Sequence, residues 1–188
     1  EPLQLVPYRR PSEIADAAGK NEWDIANIGA EPQRAAVIDF TAAYAEIEAT
    51  YLVPGDSPLQ AIEDVDRPGN TISAPAGSAY GLWLENNVSR AELHLIKGDA
   101  FAQFVDGNMS ALGGLRSGLV KEVEKLPGAR ILPGQFTAVQ QAVGVNKGNA
   151  EAFAWMKDFV EEIKASGFVA DCIRHHGVEG QLSVAPPS

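Results

Sequence analysis

Between residues 71 and 132 the chain repeats one pattern three times: an apolar extended run, a short turn, and a stretch with helical spacing. Residues 71–75 (TISAP) read as a strand, Gly77-Ser78 as a turn and 79–86 as a helix. Residues 92–97 and then 99–105, with Asp99 as the cap, repeat the order. Residues 110–115 and 118–126 repeat it again, and a last strand at 130–132 stops at Pro133-Gly134. Strands alternating with helices commit a chain to a parallel α/β layer, because each helix returns the chain to the edge where the next strand starts. A turn at Pro68-Gly69, preceded by the acidic residues Glu63, Asp64 and Asp66, marks the beginning of this region.

The flanks carry a second body. Residues 3–7 alternate apolar and polar side chains and predict a strand. Ser12 is placed to cap a helix over 13–18, whose apolar face is Ile14, Ala17 and Ala18. A strand over 24–28 follows, so the order β-α-β predicts parallel neighbours and a right-handed crossover here too. A long extended run covers 46–53, and another apolar strand covers 137–145. Residues 150–166 form the clearest helix, with Phe153, Met156, Val160 and Ile163 on one face and Gly167 as the stop. A shorter helix over 168–175 and an extended, Pro-rich tail close the chain. Trp23, Trp83 and Trp155 sit in apolar surroundings and are expected in the core. The expected layout is two α/β lobes: 1–53 plus 137–188, and 57–133, with crossings near 54–56 and 134–136. In such a layout a polar ligand binds between the lobes, at strand carboxyl ends where helix N-termini point. Closure is then a hinge motion at the crossings.

Composition removes several function classes. The formal net charge of −10 is the wrong sign for neutralising phosphates, so nucleic-acid binding is not expected. No apolar run reaches the length of a membrane span. The single cysteine, Cys172, excludes an internal disulfide. His175 and His176 are adjacent on a predicted helix and point to different sides of it, and Cys172 with His176 lacks a third ligand, so no metal site is expected. No nucleophile elbow, phosphate-binding loop or dinucleotide fingerprint occurs, so no cofactor is expected either.

One stretch carries a family likeness. WDIANIGAEPQRAAVIDFTAAYAEIEATYLVP (residues 23–54) reads as strand, Gly turn, short helix with Pro32 near its first turn, an aromatic corner, and a long extended run. Asp24, Gly29, Arg34, Ala35, Asp39, Phe40, Thr41 and Tyr44 stand where a D-hydrophobic-G-T-x-x-R-A-hydrophobic-D-F-S-x-P-Y segment stands in the bacterial extracellular solute-binding proteins of family 3, which this chain resembles. Glu31 replaces the usual Thr, and the loop before Arg34 is shorter. The resemblance implies a two-lobed periplasmic-binding-protein-like fold of type II, with parallel-rich sheets and flanking helices. It implies the solute-binding component of an ABC importer, a non-enzyme that hands a small polar, anionic or amino-acid-like solute to a membrane permease in the periplasm or outside the cell. A receptor's ligand-sensing domain and a dehydratase of the same fold, with Glu31 as acid or base, are the alternatives. The family pattern has an earlier strand and helix that this sequence does not show, and no signal peptide is visible; either the sequence is a fragment or its beginning lies outside it, and if that part is truly absent the first lobe is expected to be incomplete and copies of the chain to associate.

The resemblance also nominates residues. Arg34 stands where the family's Arg grips the solute carboxylate with a planar fork; its other reading is a surface Arg paired with Glu31 at (i, i+3). Gly77-Ser78-Ala79 stands at the family's Gly-Ser-Thr turn, with Ala79 lacking the Thr hydroxyl; Ser78 is equally a plain helix cap. Where the family often has an Asp for the solute's ammonium group, this chain has Gly114-Leu115-Arg116. Arg116 is either a second cation for an anionic solute or a solvated residue at a helix start. Tyr8, Arg9 and Arg10 lie near a wall of the expected cleft, and Gly29, Glu31, Asn27 and Tyr80 complete the candidates.

Overall fold

The computed structural model describes residues 3–187; Glu1, Pro2 and Ser188, assigned above to lobe one, lie outside them. The chain divides into two compact units, Glu1–Glu46 with Gln140–Ser188, and Ile47–Val139. Both boundaries fall inside strands, β2 (Ile38–Val53) and β7 (Thr137–Asn146), rather than at 54–56 and 134–136. The cause is packing. Ala49, Tyr51, Leu52 and Val53, which the pattern assigned to the first lobe, are buried, and the last three belong to the second unit's cores. Within the first unit β1 pairs with β7 and β8 pairs with the start of β2; within the second the end of β2 pairs with β5 and β6, and β3 pairs with both β5 and β4.

The second unit follows its sequence pattern closely. β3 (Thr71–Pro75) lies parallel to β4 (Glu92–Ile96) and to β5 (Ala111–Leu115), while β5 and the two-residue β6 (Arg130–Ile131) run antiparallel to β2. Three helices, α2 (Ala79–Asn87), α3 (Ala100–Asp106) and α4 (Arg116–Val123), follow β3, β4 and β5. Alternation along the strands sorts their side chains into two cores. Leu84 of α2 packs with Tyr51, Val53, Ile72 and Ala74. Phe104 of α3 and Leu119 of α4 pack with Leu52, Ala100 and Leu112. Helix α2 therefore covers one face and α3 with α4 the other, which makes the carboxyl edge of β3 a switch point of the kind that opens a crevice. At Gly114 a Cβ would stand 2.7 Å from Leu119 Cδ2, so a larger residue there would have to displace the Leu119 side chain.

The first unit departs further from expectation. β1 (Ile25–Gly29) is antiparallel to β7, from Ile25↔Val145 to Gly29↔Gln141, and β8 (Ser183–Val184) is antiparallel to β2. The parallel strand pairs are β3 with β4 and β3 with β5, both in the second unit. Residues 3–8 form no strand, and Leu3 and Leu5 are each 82% exposed, because no neighbouring strand among the described residues accepts their backbone. Helix α1 (Pro11–Asp16) starts earlier than predicted: Pro11 occupies the first turn, Arg10 is the cap, and Ser12 lies inside the helix. Ala17, Trp23, Ala26, Ile28 and Ile38 make one core of this unit. Another joins Met156 and Val160 of α5 (Ala150–Ala165) to Val143 and Val145 of β7. The short helix α6 (Phe168–His175) follows. Trp155 is not core: it is 62% exposed and stacks on Phe159 at 5.2 Å, since the helical turn that buries Met156 swings its neighbour outward. Among the described residues no helix is long and apolar enough to cross a membrane.

Candidate functional site

In the first unit the chain tightens immediately after β1. Ala30 N–H donates to the Gln140 carbonyl, and the Glu31 carbonyl accepts from both Arg34 and Ala35 N–H. These bonds start a single 3-10 turn, Arg34–Ala36, where the sequence predicted a short helix. Arg34 is 4% exposed, and its Nη1 donates to the Gly29 carbonyl at 2.7 Å. Burial lowers the Arg34 pKa while Glu31 raises it; reciprocally, burial pushes the half-buried Glu31 carboxyl up and Arg34 draws it down. Glu31 and Arg34 thus influence each other's charge at (i, i+3) spacing, with the guanidinium buried rather than on the surface. A buried guanidinium beside a carboxylate remains charged, and it presents a rigid, planar set of donors at a strand's carboxyl end.

The remaining first-unit candidates spread out. Asn27 lies exposed on β1. Tyr8 packs on the core around Trp23, and its hydroxyl donates to Glu22 Oε2 at 3.0 Å. Arg9 is exposed, and its backbone N–H donates to Glu13.

The second unit places Gly77, Ser78, Ala79 and Tyr80 between β3 and α2. Gly77 has φ +72, the left-handed conformation that favours glycine. The Ser78 hydroxyl donates to the Pro75 carbonyl at 2.8 Å and accepts from Gly81 N–H at 3.0 Å, so it caps α2 and closes the turn at once. Ala79 is buried; burial raises the Tyr80 hydroxyl pKa and a hydrogen bond with Ser78 lowers it. Arg116 opens α4, and its fork is engaged: Nε donates to Glu48 Oε2 at 2.6 Å and Nη2 to the Gly134 carbonyl at 2.6 Å. Glu48 went unnoticed in the sequence because nothing local relates it to a residue 68 positions away.

The same unit contains a cavity of about 340 Å³ at the carboxyl ends of β3 and β5 and the starts of α3 and α4. Tyr80 is the one candidate that lines it. Asp99, Phe101, Leu115, Ser117 and Glu122 do so as well, and sequence reasoning had used Asp99 only as a cap. The Gly98 that precedes it and its cap position were signals of a helix start at a strand's carboxyl end, the place where such crevices form. Among the described residues no group of three or more His, Cys, Asp or Glu is arranged to hold a metal, and His175 and His176 meet edge to face at 5.1 Å.

The family described as bacterial extracellular solute-binding proteins, family 3, matches residues 2–178. No curated protein sequence matches the chain. Among solved structures, a putative binding component of an ABC transporter from Wolinella succinogenes, complexed with lysine, is similar at TM-score 0.72 and 16% identity, over 93% of this chain and 78% of that one. A histidine kinase sensor domain with similarity to periplasmic binding proteins gives TM-score 0.72 and 20% identity, over 94% and 77%. An ancestral amino acid-binding protein, a precursor of cyclohexadienyl dehydratase, gives 0.69 and 20%, over 92% and 76%. At these identities the structural likeness is one of fold.

Proposed function

The chain belongs to the bacterial extracellular solute-binding proteins of family 3, and from that membership we propose that it is the non-catalytic, solute-binding component of an ABC importer. It captures a small amino-acid-like or anionic solute in the periplasm or outside the cell and delivers it to a membrane permease. The observation that carries this reading is Arg34. A guanidinium 4% exposed and anchored on the Gly29 carbonyl stands where the family's Arg grips the solute carboxylate, and its planar fork suits that group. The turn at Gly77-Ser78-Ala79 supports the reading through its backbone, since the Ser78 hydroxyl is committed to capping. Arg116 is occupied by Glu48 and Gly134, which favours an amino-acid-like solute over a dianion that would need a second cation.

The test is calorimetric titration with amino acids and dicarboxylates. With the bound solute, Arg34→Ala weakens affinity by about 1.5–3 kcal/mol, the worth of a hydrogen bond to a charged group. Arg34→Lys keeps the charge without the fork and binds at an intermediate level, while its melting curve shows that the unit is folded. Equal affinity in both variants overturns the carboxylate assignment, and conversion of a bound carboxylate to product overturns the carrier reading.

A further inference from the structure

We propose that Arg116 is a positioning residue: its guanidinium clasps the two segments through which the chain enters and leaves the second unit and holds them as one rigid piece with α4. The clasp is independent of the carrier reading; only its use in solute capture rests on that reading.

The unit boundaries fall after Glu46 in β2 and after Val139 in β7, so these two strands are where a hinge has to bend. On the second unit's side of each boundary, Arg116 holds one segment. Its Nε donates to Glu48 Oε2 on β2, and its Nη2 donates to the carbonyl of Gly134, in the turn between β6 and β7, both at 2.6 Å. A guanidinium keeps its donors in one plane, so Glu48 and Gly134 are fixed relative to each other as well as to α4; a lysine ammonium has no such fork. Helix α4 is a firm support, because its Leu119 is buried with Leu52 and Leu112. Gly134 has φ +78, the left-handed conformation that favours glycine.

Backbone bonds join the same two segments on either side of Gly134. Leu132 N–H donates to the Tyr51 carbonyl at 2.8 Å, and Phe136 N–H donates to the Ala49 carbonyl at 3.0 Å. Arg116 holds the residue midway between them. As a surface ion pair it would add little, since the Glu48 side chain is 51% exposed and solvent screens the charge. Its worth is geometric: one side chain closes contacts with partners 68 and 18 positions away in sequence. The first unit makes its own tie at the boundary, where Gln140 Nε2 donates to Glu46 Oε1 at 2.8 Å. Between the two ties lie Ile47 on one strand and residues 137–139 on the other, and bending on solute capture falls to them.

The experiment follows amide hydrogen exchange of the 188-residue chain residue by residue, in the wild type, Arg116→Met, Arg116→Lys and Glu48→Gln. In Arg116→Met the amides of Leu132 and Phe136 exchange about tenfold faster, the worth of a hydrogen bond to a charged group. Ile72 and Leu84 in the same unit's core stay protected. Arg116→Lys recovers part of the protection, and Glu48→Gln, which leaves Gly134 held, loses less than Arg116→Met. Arg67→Met removes an exposed ion pair with Asp64 elsewhere in the unit and leaves both amides unchanged. Unchanged exchange at Leu132 and Phe136 in Arg116→Met overturns the clasp. So does a rise spread evenly over the second unit, which would make Arg116 only a support of α4. The use of the clasp is read with L-lysine as the solute probe. Lysine changes exchange at Ile47 and 137–139 in the wild type and reaches 132–136 only in Arg116→Met; changes at 132–136 in the wild type overturn the rigid piece. Lysine that moves no amide while the Arg116 contrast stands removes lysine as the carrier's solute and leaves the clasp supported.

Discussion

The turn at residues 77–80 closes on its own neighbours: Ser78 reaches back to Pro75 and forward to Gly81, and Asp99 does the same service for α3 through Phe101 and Ala102. The turn at residues 29–34 closes on distant ones. Ala30 is held by the Gln140 carbonyl, and the approach to β1 is held by Asn146, whose side chain accepts from Gly19 N–H and donates to the Trp23 carbonyl, both at 2.8 Å. Thr41 Oγ1 accepts Val143 N–H across 102 residues in the same unit. The second unit's helix starts are therefore written in short stretches of chain, whereas the first unit's frame forms only when the two ends of the sequence meet. Contacts of the second kind carry a larger loop-closure cost and are invisible to local pattern.

The comparison breaks most visibly in the core. Phe104→Ala empties the centre of the α3–α4 core and costs about 3–5 kcal/mol. Hydrogen exchange then shows protection lost first in β3, β5 and α3; a loss spread evenly over both units would mean that they do not behave as separate bodies. Asn146→Ala removes two bonds at once and costs about 1–3 kcal/mol in urea unfolding, with exchange loosened at both Gly19 and Trp23. An effect confined to β7 would show that the long-range frame is not what holds the start of β1. Asp99→Ala removes only a local cap and costs about 1 kcal/mol, while Asp99→Asn restores it.

The smallest effects lie in pH, and they differ in sign between the units. Burial acts to raise the Asp66 pKa, but N–H donors from Ala91, Arg90 and Ser89 hold its carboxyl below the ordinary 3.8. A depressed folded pKa stabilises above the unfolded value, and that contribution is lost as pH falls from 3.8 through the folded value. Glu31 is shifted the other way, raised above 4.5 by burial against the pull of Arg34. Its contribution is favourable at low pH and is lost as pH rises from 4.5 through the folded value. Melting curves across this range accordingly show Asp66→Asn flattening the acid loss and Glu31→Gln flattening the opposite slope. Two variants with slopes of the same sign would contradict the assignment.

Alternating periodicity and caps were enough to place β3, α2, β4, α3 and β5 to within a residue or two, because a strand's two-residue period, a helix's 3.6-residue period and a Ser or Asp cap are all settled among near neighbours. The same local order placed Gly29 at the end of β1 and a helical turn carrying Arg34 after it. It could not show that residues 3–8 find no strand to pair with, that Trp155 faces outward, or that residues 47–53 pack into the second unit. Nor could it show that Arg116 is held by Glu48, or that Asp99 and Glu122 border one cavity. Each of those depends on which surfaces meet after the chain has closed loops of tens of residues. Local sequence determines what an element is and where it begins; only the tertiary structure decides what lies against it, because burial and hydrogen-bond partners belong to the pair in contact and not to either segment alone.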